Sequence, residues 1–130
     1  MLPSRPHALA TTPVLVVADL QRSIAFYTKL GFVEPAMWGE PPCFAMMNRD
    51  ELDLMLSLAE DPSHVRPNGP HGVWDLYIKV EDLDAELTAL TDLAVPIDHP
   101  IQSTEYDMRE LEVVDPDGYR ICFGANMEIA

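Results

Sequence analysis

Basic residues, cysteine and long apolar runs are all scarce in this chain, and each scarcity closes off a class of function. Eight lysines and arginines stand against 22 aspartates and glutamates in 130 residues, a formal net charge of −14. Nucleic-acid binders draw most of their affinity from basic side chains on phosphates, so a nucleic-acid partner is excluded. No apolar run approaches the roughly 20 residues of a membrane span, so no membrane partner is expected either. The first seven residues, MLPSRPH, lack the apolar stretch of a secretory leader, and the expected location is the cytoplasm. Cys43 and Cys122 are too few for a disulfide framework and fit reduced thiols in that compartment. The four histidines, His7, His64, His71 and His99, show no H-x-x-x-H spacing, and no paired-carboxylate motif replaces it. His71 could bend towards Asp75, although loop histidines usually face water.

What the chain does contain is periodic. Pro13–Val17 reads as a strand, followed by Asp19 at an N-cap position and by Leu20, Ile24, Tyr27 and Leu30 on one helical face. Gly31 ends that helix, Phe32–Val33 starts a strand, and Pro35, Gly39, Pro41 and Pro42 mark a turn region. Cys43–Asn48 and Leu52–Ser57 read as two further strands, the second with one leucine face. Residues 60–72, rich in proline and glycine, form the linker. The pattern then restarts with a strand at Leu76–Val80, a cap at Asp82 and a helix carrying Leu83, Leu87, Leu90 and Leu93. Strands at Ile97–Ile101 and Met108–Val114 follow. The turn Asp115-Pro116-Asp117-Gly118 then introduces a last strand on which Tyr119, Ile121 and Phe123 alternate with Arg120 and Cys122.

The halves superpose at an offset of 63, with Asp19 on Asp82 and Leu20 on Leu83, and later at 67, with Asp50 on Asp117 and Leu54 on Ile121. The expected fold class is α+β. Two tandem βαβββ modules, about 12–59 and 73–126, would form a curled mixed sheet around a groove between their open sides, within one domain of residues 1–130. Grooves between modules are where small ligands usually sit.

The run from Val16 to Phe32, together with Asp115–Ile121, resembles the vicinal oxygen chelate superfamily, which holds glyoxalase I, extradiol dioxygenases, fosfomycin-resistance enzymes and bleomycin-resistance proteins. The likeness spans residues 12–124. It implies four ligand positions, which fall on Thr12, Met55, Asp75 and Cys122. Threonine is a weak ligand and methionine a soft one, and Asp75 and Cys122 alone are too few for a divalent ion. The expectation is therefore no metal and no cofactor. Pro13, the run Leu52–Ser57, and Arg109-Glu110-Leu111 resemble the bleomycin-binding branch in particular. That likeness implies an acidic homodimer with an exchanged first strand, which binds its ligand without transforming it.

The candidate ligand-binding residues are Trp38, Trp74, Asp75, Tyr106, Met55, Met108, Glu110 and Cys122. Trp38, Trp74 and Tyr106 flank loops and read equally as groove walls or as packing. Phe44 and Tyr77 read as core or subunit-interface residues. Met46, Met47, Met55 and Met108 could form a plastic apolar wall, with core filling expected for at least two of them. Asp75 could pair with a cation if buried beside a ligand. Glu110 and Glu112 share a face that could line the groove or meet water. Arg109 is expected to pair with a carboxylate, Cys122 to be an apolar filler, and the Asp115–Gly118 turn to play no catalytic part. The reading favoured by these residues is a metal-free binding protein for an amphipathic or cationic small molecule. A metal-dependent glyoxalase or dioxygenase type enzyme and a partner protein with a vestigial pocket are the alternatives.

Overall fold

The computed structural model describes residues 1–69 and 72–127. His71, and with it any approach to Asp75, lies outside the described residues. The elements in chain order are β1 (Val14–Val17), α1 (Leu20–Lys29), β2 (Val33–Trp38), β3 (Phe44–Arg49), β4 (Leu52–Leu58), a short 3-10 turn at Pro62–His64, β5 (Leu76–Lys79), α2 (Leu83–Asp92), β6 (His99–Ser103), β7 (Met108–Val114) and β8 (Arg120–Asn126). They form two four-stranded mixed sheets, β1-β4-β3-β2 and β5-β8-β7-β6. Both sheets have the same order because both halves repeat the same pattern. Val14 of β1 lies opposite Met55 of β4, and Tyr77 of β5 lies opposite Cys122 of β8, which are the pairs related by the two sequence offsets.

The helices begin where a carboxylate can accept from an unpaired helix N–H. Asp19 accepts from Arg22 N and Asp82 from Ala85 N, both at 3.0 Å. α1 buries Leu20, Ile24 and Tyr27, and α2 buries Leu83, Glu86 and Leu90. Beyond α1 the chain turns at Gly31, with φ +93°, in the left-handed region that glycine adopts freely. Beyond α2 it turns at the equivalent position of the repeat, at Ala94 with φ 58°.

Leu15, Val17, Ala45, Met47, Leu54 and Leu56 of the first sheet share one core with Ile78, Leu111, Val113, Ile121 and Phe123 of the second. These residues lie on the helix-covered faces. The groove expected between two facing open sides is therefore not enclosed within one chain. The open faces do not close on each other, and Val14, Trp38, Tyr77 and Tyr106 on them remain exposed. Two strand boundaries also move. β2 continues through Pro35 to Trp38, where a turn was expected, because an edge strand with a register shift between Val33 and Ala36 tolerates proline. β6 runs from His99 to Ser103, two residues later than expected.

The two halves are fastened by their own hairpin turns. Asp115 is buried, and its Oδ1 accepts from Asp117 N and Tyr119 N at 2.8 Å while its Oδ2 accepts from Tyr27 Oη at 2.7 Å. Burial raises the Asp115 pKa, and the hydrogen bonds from Tyr27, Tyr119 and Asp117 work against that rise. Burial, and then the Asp115 charge, push the Tyr27 phenol far above its ordinary range. Asp117 reaches into the first half and accepts from Ala18 N (3.3 Å), Arg22 Nη2 (3.1 Å) and Ser23 Oγ (3.4 Å). Tyr119 Oη donates to Val16 O at 2.6 Å. In the other direction Arg49, at the turn of the first half, holds Glu86 of α2 through two bonds of 2.7 and 2.9 Å and also reaches Leu30 O.

Replacing Asp117 leaves several donors unanswered at once. Asp117→Ala is expected to lower unfolding free energy by about 2 kcal/mol in urea titrations. Asp50→Ala at the matching turn, whose side chain is 88% exposed, should change it by less than about 0.5 kcal/mol.

Candidate functional site

Alternation along each strand decides what the open faces carry. On the first sheet one row reads Val14, Met55, Met46, Ala36 and the next Val16, Ser57, Phe44, Trp38. This face is apolar, and Trp38 meets Phe44 edge-on with ring centroids 5.8 Å apart. On the second sheet the rows read Tyr77, Cys122, Glu112, His99 and Lys79, Gly124, Glu110, Gln102. This face is polar and acidic.

A hollow of about 370 Å³ opens on the second face, lined by Trp74, Gln102, Tyr106, Glu110 and Glu112 among others. Glu110 is 5% exposed. One of its oxygens accepts from Tyr77 Oη and the other from Tyr106 Oη, both at 2.7 Å. No lysine, arginine or histidine among the described residues forms an ion pair with Glu110. Glu112, by contrast, is answered by Arg120 at 3.1 Å, and Arg120 also binds Asp98 at 2.5 Å. Trp74 stands against Tyr77 with centroids 5.0 Å apart. The Tyr77 phenol can lie across the sheet only because residue 124 is glycine. A Cβ there would fall 2.0 Å from its Oη.

The acidic surroundings keep their neighbours protonated. Its hydrogen bond to Glu110, and then burial, push the Tyr106 phenol up to about 12. Burial, and then the bond to Glu110, raise Tyr77 further. Burial, followed by the charges of Glu110 and Glu112, pushes the Cys122 thiol up to about 12. Two larger hollows of about 500 Å³ each run along the start of α2, but there the ion pairs Arg49–Glu86 and Arg109–Asp84 already join the principal charges.

The expected site residues separate into groups. Trp74, Tyr106 and Glu110 meet in one hollow, Cys122 lies beside Tyr77 on the same sheet, and Met108 starts β7. Trp38 and Met55 belong to the other sheet. Asp75 does not face a ligand with a free carboxylate. Its Oδ1 accepts from Asn68 N at 2.7 Å and its Oδ2 from Arg120 N at 2.8 Å, so it ties the linker to β8. Met47 is core, whereas Met46 and Met55 lie on the open face. Arg109 pairs with Asp84. Tyr77, read as core or subunit-interface packing, is not core: it is 38% exposed in this chain and donates to Glu110. Its position opposite Cys122 was the available signal.

The implied metal positions do not fit an ion. Both Asp75 oxygens already accept from backbone N–H groups, the Thr12 hydroxyl and Met55 thioether are poor ligands for a divalent ion, and Met55 lies on a different sheet from Cys122. Among the described residues no group of three or more His, Cys, Asp or Glu side chains is placed to hold a metal. Among the same residues no helix is long and apolar enough to cross a membrane.

The sequence profile described as the Glyoxalase/Bleomycin resistance protein/Dioxygenase superfamily matches residues 6–123. A search of curated proteins returned no match. Among solved structures, a glyoxalase/bleomycin resistance protein/dioxygenase from Nocardioides is 20% identical with a TM-score of 0.72, covering 98% of this chain and 89% of its own. A bleomycin-binding protein complexed with bleomycin is 19% identical, with a TM-score of 0.68, covering 94% of this chain and 100% of its own. A lactoylglutathione lyase from Agrobacterium tumefaciens is 19% identical, with a TM-score of 0.70, covering 93% of this chain and 96% of its own. At these identities the likeness is one of fold.

Removing the Glu110 charge removes the first cause of the raised Tyr106 value. In tyrosine-labelled NMR titrations Glu110→Gln should bring Tyr106 from about 12 towards the ordinary 10.0, and an unmoved value would break the assignment. From the ordinary value up to about 12 the folded chain holds a phenol proton that the unfolded chain releases. Stability should therefore fall as pH rises through that window, and less steeply in Glu110→Gln.

Proposed function

The chain belongs to the Glyoxalase/Bleomycin resistance protein/Dioxygenase superfamily, and within it we propose a binding protein that sequesters a cationic, aromatic small molecule without transforming it. The observation that carries this reading is the Glu110 carboxylate, nearly buried and answered by two phenols but, among the described residues, by no base. Such a group favours a ligand that brings its own positive charge. Trp74 and Tyr106 line the hollow and can meet the aromatic part, Tyr77 stands against Trp74, and Met108 and Cys122 belong to the same sheet. The net charge of −14 speeds capture of a cation by steering. The protein works as a homodimer on this reading. The apolar face bearing exposed Val14 and Trp38 and half-buried Phe44, Met46 and Met55 is the surface that a second copy covers, and Trp38 and Met55 of the partner subunit then roof the hollow. No metal takes part, and the cytoplasm is the proposed location.

Two titrations test this. Calorimetry with metal-free bleomycin and with a protonated aminoacridine should give one site per chain, weakened at least about tenfold by Glu110→Gln and also weakened by salt. Failure of both compounds to bind, or equal binding by Glu110→Gln, contradicts the proposal. The fold likeness to a lactoylglutathione lyase keeps a metal-dependent enzyme as the second reading. Stoichiometric metal in the purified protein, lost in Asp75→Ala, would favour it. Separately, Trp38→Glu should shift sedimentation from dimer to monomer.

A further inference from the structure

The two oxygens of Glu110 stand in the same condition. Each accepts one phenol hydrogen bond at 2.7 Å, one from Tyr77 and the other from Tyr106. An ionised carboxylate offers about two lone-pair sites on each oxygen, so one site on each stays open. The residue is nearly buried, yet it lines the hollow. Gln102 lies directly opposite Glu110 in the β6–β7 pair, so the two side chains share one face, and it lines the same hollow. Gln102 is exposed, and its side-chain amide has no hydrogen-bond partner among the described residues. Glu105, a third carboxylate of the hollow, is paired with no base among the described residues, whereas Glu112 is engaged by Arg120. Negative charge, open acceptor sites and the rings of Trp74 and Tyr106 thus meet in one place. A flat cation with several N–H groups uses all three. Two parallel N–H bonds reach one oxygen of Glu110 each, in a fork that an ammonium, a point charge, does not present. A further N–H is left for the Gln102 carbonyl, and the plane of the cation lies against a ring.

We propose that this hollow takes an amidinium or guanidinium group, read by both oxygens of Glu110 and by the side-chain carbonyl of Gln102. The inference rests on the reading of this hollow as a cation site and adds the chemical class of the cation and a residue that selects it.

The intact chain is titrated by calorimetry with benzamidine, benzylammonium, phenyltrimethylammonium and uncharged benzamide. Benzamidine should bind about tenfold tighter than either other cation. Gln102→Met keeps the length of an exposed side chain but removes its carbonyl. It should weaken benzamidine about fivefold and leave phenyltrimethylammonium unchanged. In Glu110→Gln every cation should fall to the affinity of benzamide, with circular dichroism checking that the variant is folded. Either other cation binding as tightly as benzamidine, or Gln102→Met weakening all three cations alike, overturns the assignment to this class and leaves the cation site standing. No cation exceeding benzamide overturns both.

Discussion

Asp115 and Asp117 set the geometry on which everything else rests. One buried carboxylate gathers two backbone N–H groups of its own turn and the Tyr27 hydroxyl of α1, and its neighbour two residues on reaches Ala18, Arg22 and Ser23. Bonds with an ionised acceptor are stronger than those between neutral groups. They press the second hairpin onto the first helix while Arg49 presses the first hairpin onto the second helix through Glu86. With both turns engaged, both sheets direct their helix-covered faces into one core. Their remaining faces are turned out and are left to do other work.

Those two outward faces differ in a way that suits them to each other. The first carries Val14, Phe44, Met46, Met55 and Trp38, a surface that loses by meeting water. The second carries Tyr77, Glu110, Glu112 and Arg120, with a hollow that Glu110 and Glu112 line. On the proposed reading, in which a second copy lays its apolar face over this charged floor, the pair would hold an amphipathic cation with no reactive group. The chemistry of the floor agrees, since the thiol of Cys122 and the phenols of Tyr77 and Tyr106 are held in their neutral forms by burial and by the same carboxylates.

Much of the fold was legible in the residues because the chain says the same thing twice. The caps Asp19 and Asp82 and the helical leucines mark equivalent elements, and the strand registers follow the sequence offsets. Alternation along β7 likewise put Glu110 and Glu112 on one face. Contacts between distant segments were not legible. Asp75 looked inward and free, but the linker returns Asn68 to its carboxylate. Tyr77 read as core or subunit interface because large aromatic residues in strands usually pack in one or the other. Only its pairing across to β8, with a glycine at 124 leaving space, reveals a surface phenol bonded to Glu110. Proline and glycine around Trp38 disguised the end of an edge strand as a turn.

The central claim is that a nearly buried carboxylate, clasped by phenols and matched by no base among the described residues, is the seat of a ligand cation. The direct measurement is carbon-13 NMR of the glutamate carboxyls and tyrosine rings as a protonated aminoacridine is added to saturation. The account predicts that Glu110, Tyr77 and Tyr106 shift together while Tyr27, held at the Asp115 turn, stays in place. Shifts scattered over exposed glutamates, with Glu110 unmoved, would contradict it.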